Sequence, residues 1–208
     1  GLLPEGAEPV RRSGAVEGDL VVLGTPLLGL SAAGLAQVLA QADGNLPDMA
    51  AAGPMAHRAK RWHCAPETDL SLGYRYGHLF SSMIDVSDGL VRDGRRIAQA
   101  SKVCLDLDSA VLASDVEALA PLAACFDADP WEWVLGSGEE HAMLATVSSE
   151  QWLSHPELHD AFRVIGRVVA ADPTARESRA LDGASCPADG VLLDGQGVMM
   201  RGFDHFER

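Results

Sequence analysis

The chain has 208 residues, with 16 Lys and Arg against 30 Asp and Glu, a formal net charge of −14, and 47% hydrophobic residues. This is globular composition, which excludes a disordered or fibrous chain. The acidic balance argues against a nucleic-acid binder, which needs a basic face to displace counterions from phosphates. No apolar run approaches the ~18 residues of a membrane span, and no signal-peptide pattern opens the chain.

Glu17-Gly18-Asp19 reads as a turn. Leu20 to Leu23 is a continuous apolar run, which predicts a strand covered on both faces. Gly24 to Gly29 is a Gly/Pro loop. Ser31 is placed to cap a helix with Leu35, Val38 and Leu39 on its inner face, stopping at Gly44. A second helix is expected between Pro47 and Trp62, broken or kinked at Gly53-Pro54. His63 to Gly77 reads as loop. Ser82 to Val86 is the next strand, and Asp88-Gly89 opens a helix with Leu90, Ile97 and Ala98 inside.

Val103, Leu105 and Leu107 alternate with polar residues, which predicts a strand. Ser114 begins a helix carrying Val116, Leu119 and Leu122, with Pro121 inside it. Met143 to Val147 and Phe162 to Val169 are further strands. Ala180 to Met200 reads as short strands between Gly-containing turns. The alternation predicts a single layered α/β domain with four or five helices and six or seven strands. Cys64, Cys104, Cys125 and Cys186 are widely spaced, with no Cys-x-x-Cys pair. Free thiols in a reducing cytoplasm are the expectation.

Two segments could carry chemistry. Ile84-Asp85-Val86-Ser87-Asp88-Gly89-Leu90 puts two carboxylates three residues apart at a strand end, followed by a helix N-terminus. Asp85 and Asp88 could hold Mg²⁺ there while Ser87 meets a phosphate. The same residues would also serve as a simple helix cap with Asp85 in water. Gly136-Ser137-Gly138-Glu139-Glu140-His141 lets backbone and carboxylate come close to a ligand, or is an ordinary helix-to-strand turn. It lacks the lysine of a Gly-x4-Gly-Lys phosphate loop. Arg12, in Arg11-Arg12-Ser13-Gly14, is either a phosphate contact or a surface charge. Phe203-Asp204-His205-Phe206 either packs on a planar ligand or docks the tail.

Together these segments resemble thiamine-monophosphate kinases, members of the aminoimidazole ribonucleotide synthetase superfamily. The resemblance runs from about Val10 to Phe206 in five segments. They are Arg12-Ser13-Gly14 with Gly18-Asp19, Ser31-Ala32-Ala33-Gly34-Leu35, the Ser87-Asp88-Gly89-Leu90 segment, Gly138-Glu139, and Phe203-Asp204-His205-Phe206. The family transfers the γ-phosphoryl of ATP to thiamine monophosphate. By position, the resemblance implies that Arg12 and Ser87 contact ATP, Asp85 and Asp88 ligate Mg²⁺, Glu139 contacts the substrate phosphate, and Phe203 packs on its aromatic part. It names no residue as a covalent catalyst.

The resemblance covers the family's C-terminal half only. It implies that residues 1–208 form one C-terminal domain of α/β (α+β) class, a mixed sheet flanked by helices. The family's N-terminal half, with further metal ligands, the nucleotide segment and the homodimer contact, is not in this sequence, so the chain alone is expected to be folded but catalytically incomplete. The alternatives are a non-catalytic dimerisation or ligand-sensing module, or another ATP-using superfamily enzyme. The chain departs from the family pattern in three ways. Ser137 replaces a glycine, which predicts strain if φ is positive there, and Glu140 and His141 change the loop's reach. Gly94 replaces a leucine, which predicts a lost core contact. Asp69 stands where a basic residue is common.

Overall fold

The computed structural model describes residues 8–171 and 190–198. Seven strands form one mixed sheet: β1 (Leu20–Gly24), β2 (Ser82–Val86), β3 (Val103–Leu107), β4 (Ala142–Val147), β5 (Arg163–Ala170), β6 (Val191–Leu193) and β7 (Gln196–Gly197). Their order is β2-β4-β1-β5-β3-β6-β7. Neighbours are antiparallel except β3 and β6, which pair in parallel.

The apolar run at β1 lies inside the sheet, between β4 and β5, and the strand is covered on both faces as its composition predicts. Val21 and Leu23 face a large core with α1 (Leu30–Ala42), α2 (Pro54–Cys64), α4 (Leu90–Ser101), α5 (Ser109–Cys125) and α6 (Pro130–Gly136). Val22 faces a thinner layer made by α3 (Leu72–Tyr76), Phe80, α8 (Glu157–Ala161) and Phe162. Phe162 meets Tyr76 and Phe80 edge to face, with centroids 5.9 and 5.0 Å away. A short α7 (Ser149–Ser154) brings Trp152 to the same layer. The ladder on the first face is not wholly apolar: Ser82 and Thr146 are register partners, and their buried hydroxyls bond at 2.8 Å.

α1 and α2 lie unusually close. A Cβ on Gly34 would stand 2.3 Å from the Ala59 carbonyl oxygen. The buried face of α1 is therefore Leu30, Ser31, Ala33, Gly34 and Gln37. Leu39 is 54% exposed, so the inner face expected at Leu35, Val38 and Leu39 is rotated away. Small residues win this face because they admit a neighbouring backbone.

Other expectations are also corrected. His63 to Gly77 is not all loop: α2 runs through Cys64, and α3 packs Leu72 and Tyr76 into the second layer. α5 starts five residues before Ser114, because Asp108 caps it, accepting from Ala110 N at 2.9 Å and Val111 N at 3.3 Å. The described residues hold eight α-helices, more than the four or five expected. Of the expected tail strands, β6 and β7 are present, and the rest of that stretch lies outside the described residues.

Cys64 and Cys125 are free, but Cys104 is disulfide-bonded, which overturns the expectation of four free thiols. Cys104 is fully buried on the second face, where β6 returns the C-terminal part of the chain beside β3. No helix among the described residues is long and apolar enough to cross a membrane.

Candidate active site

β1 and β2 both run antiparallel to β4, so their C-terminal ends and the start of β4 share one edge of the sheet. Three loops meet there: residues 25–29 after β1, 87–89 after β2, and 137–141 before β4. The last two are stitched together by backbone. Glu139 N donates to Ser87 O and His141 N to Val86 O, each at 2.8 Å.

Gly89 permits this contact. Its φ is +115°, and a Cβ would stand 2.9 Å from the Gly136 carbonyl oxygen. The 87–88 turn is then fixed from inside α4. Asp93, fully buried, accepts from Ser87 N at 2.9 Å and Asp88 N at 2.8 Å. Arg96 bridges the carboxylates of Asp93 and Asp88, and Arg92 stands 3.9 Å from Asp88. Burial raises the pKa of Asp93, against the pull of the Asp88 and Ser87 N–H groups and Arg96.

The structure thus brings Ser87, Asp88 and Glu139 together. Asp85 lies nearby on β2, exposed and with no ion pair among the described residues. Arg12 does not join them. Its carbonyl accepts from Ser101 Oγ at 3.0 Å, at the far end of α4 from Ser87. A 12-residue helix separates the two by about 18 Å. Phe203 lies outside the described residues.

The 137–141 loop has a feature that the sequence pattern did not disclose. Glu140 is fully buried, and its Oε1 accepts from Ser31 N at 2.8 Å and Ser137 Oγ at 2.7 Å. Ser137 Oγ also accepts from Ala32 N at 3.0 Å. Loop side chains therefore cap α1 in place of Ser31. The N-cap position is Gly29, and Ser31 Oγ instead bonds His63 Nδ1 at 3.0 Å. An acidic residue far along the chain can cap a helix without leaving any local pattern.

Burial drives the pKa of Glu140 up to about 7, although Ser137 and Ser31 favour the charged form. Glu140 Oε2 and the Trp62 indole N–H are both buried without a hydrogen-bond partner among the described residues. The Gly29 N–H and the Trp62 indole stand near enough to pull the pKa down slightly without completing a bond.

Two departures from the family pattern now have physical readings. Ser137 has φ −62°, so it carries no strain. The left-handed residues are Glu139 (φ +57°) and His141 (φ +53°). Gly94 leaves no void, since a Cβ would already stand 3.2 Å from Val191.

Beside the loop opens a cleft of about 520 Å³, lined in part by Thr25, Trp62, Thr68, Arg75, Tyr76 and Arg163. Thr68 Oγ1 donates to Glu140 O at 3.1 Å, so the cleft wall and the loop are continuous. Among the described residues no three or more His, Cys, Asp or Glu side chains stand together as a metal site. The fit to Mg²⁺ is therefore partial. Asp85 is a free hard-oxygen ligand, Asp88 is already shared with arginines, and a six-coordinate ion would need oxygens from phosphate, water or elsewhere.

A mixed sheet with helices on both faces and a site at one strand edge defines the class. The family model "AIR synthase related protein, C-terminal domain" matches residues 16–177, and the chain belongs to that family. Within it, the chain is 41% identical over 167 residues to the thiamine-monophosphate kinase of Mycobacterium tuberculosis, covering 79% of this chain and 44% of the relative. It is 29% identical over 206 residues to that of Aquifex aeolicus, covering 99% of this chain and 57% of the relative. A solved structure described as "AaThiL complexed with AMPPCP and TMP" superposes with a TM-score of 0.70 at 27% identity, covering 95% of this chain and 54% of that one. The chain spans about half the length of the relatives it matches.

Proposed function

We propose that this chain is the C-terminal part of an ATP-dependent thiamine-monophosphate kinase, converting thiamine monophosphate to thiamine diphosphate in the cytoplasm. One observation carries the reading: the two backbone bonds, from Glu139 N to Ser87 O and from His141 N to Val86 O, that seat the Glu139 turn against the end of β2. They place the residue expected at the substrate phosphate beside the segment expected at ATP and metal. Relatives named for this activity support it.

Phosphoryl transfer asks the protein mainly to align donor and acceptor and to offset charge. In this reading Ser87 and the N-terminus of α4 receive ATP phosphate oxygens, and Glu139 orients the substrate. Arg12, about 18 Å from Ser87 along α4, would contact ATP only away from the phosphates received there, and Phe203, outside the described residues, would pack on the aromatic part of thiamine. Asp85 and Asp88 would hold Mg²⁺, which when bound would neutralise phosphate charge. Because the chain spans about half of its relatives, turnover is proposed for a protein that also supplies their N-terminal half, through which it would form a homodimer.

The test is ³¹P NMR of thiamine monophosphate with Mg-ATP and the protein expressed from its complete open reading frame. Diphosphate resonances of thiamine diphosphate are expected, and Asp85→Asn should abolish them. ATP and thiamine monophosphate both left intact by a folded protein would overturn the reading.

A further inference from the structure

We propose that Glu140 is a positioning residue: its buried carboxylate ties the 137–141 loop to the N-terminus of α1 and so sets where Glu139 points. The inference rests on the reading of Glu139 as the substrate contact. Glu139 cannot orient itself. Its side chain is 59% exposed and meets His141 Nε2 at 3.1 Å. Its backbone, like that of His141, is left-handed, a conformation costing a non-glycine residue about 1 kcal/mol or more. Such a backbone persists only when its surroundings hold it.

Ser87 O and Val86 O hold it from one side. Glu140 holds it from the other, through Ser31 N, Ser137 Oγ and, by its own carbonyl, Thr68 Oγ1. The free N–H groups and positive end of the 13-residue α1 favour a carboxylate at this point. A side chain that only filled space would not carry the desolvation cost of a buried carboxyl group.

The first test is amide hydrogen exchange by NMR on this chain. Glu140→Met matches the length without an acceptor, and Glu140→Gln keeps the acceptor. Met should speed exchange at the Glu139 and His141 amides at least tenfold relative to the β4 amides, while Gln stays near wild type. If Met fails to fold, Ser137→Ala, which removes the bridging hydroxyl, should give the same local acceleration. Parallel acceleration everywhere, or no difference between Met and Gln, would overturn the proposal.

The second test is calorimetric titration of thiamine monophosphate onto the protein from its complete open reading frame. Glu139→Gln should weaken binding about tenfold, and Glu140→Met should weaken it too but add nothing in the Glu139→Gln background. Additive losses would sink the positioning role. No effect of Glu139→Gln would instead sink the substrate reading and this inference's functional half, leaving the exchange result as a statement about loop geometry alone.

Discussion

A carboxylate in an apolar interior holds its proton to higher pH, and Glu140 is the clearest case in this molecule. Its pKa rises from 4.5 to about 7. The sign follows from linkage. Between these values the folded state is protonated while the unfolded state has ionised, so the folded state binds more protons and stability falls as pH rises. The fall starts near pH 4.5, levels off above about 7, and totals at most about 3 kcal/mol for a shift of this size. Burial also raises Asp93 and Asp115, the latter despite its pair with Arg163, so the wild-type curve mixes several groups. Subtracting the curve of Glu140→Gln isolates one. Urea unfolding from pH 4 to 8 should show the variant gaining on the wild type across that window. A pH-independent difference would mean that burial leaves the Glu140 carboxyl titrating in the folded state as it does in the unfolded chain.

At the scale of elements, the α1–α2 contact and the Gly89 turn are two of the places where backbone meets backbone. Gly34→Ala puts a methyl against the Ala59 carbonyl and forces the helices apart, at a cost of about 1–3 kcal/mol of overpacking. Gly89→Ala adds strain at φ +115° to a clash with Gly136, and a loss of similar size is expected. Denaturant midpoints check both. Gly89→Ala should also disturb the 137–141 loop, visible as altered amide shifts at Glu139. A midpoint unchanged in both variants would mean that these approaches are looser than they stand here.

These contacts also explain what was legible in the sequence. The strands at Leu20, Ser82, Val103, Met143 and Phe162 could be read because their period and flanking turns are local signals. The rotation of α1 could not, because Leu39 looks like a core residue until Ala59 is known to occupy the other face. α3 and α8 are short and set Leu72, Tyr76 and Leu158 in the layer around Phe162 and Val22, packing that no window of residues displays. At the candidate site, the motifs picked out the segments of Ser87, Asp88 and Glu139, which the fold brings side by side. Glu140 and Asp93 were not legible, because their roles come from partners that the fold delivers.

For the molecule as a whole, the separation of Asp85 from Asp88 makes the metal question testable. Both carboxylates stand at the same sheet edge, yet their structural duties differ. Asp88 neutralises Arg96 and approaches Arg92, so Asp88→Asn would remove an ion pair as well as any metal ligand and leave Arg96 partly unpaired. Asp85 is exposed on the edge strand and makes no ion pair among the described residues. Asp85→Asn should therefore leave the melting temperature within about 2 °C, since surface changes are worth about 0.5 kcal/mol or less. In the protein from the complete open reading frame it should still lower Mg²⁺-dependent phosphoryl transfer by at least about a hundredfold, the equivalent of roughly 3 kcal/mol in the barrier. Asp88→Asn should lose both stability and turnover. Differential scanning fluorimetry beside the ³¹P assay separates the two variants. Full turnover in Asp85→Asn would remove that residue from the metal site and leave Asp88, with its arginines, as an anchor for the turn that seats Glu139.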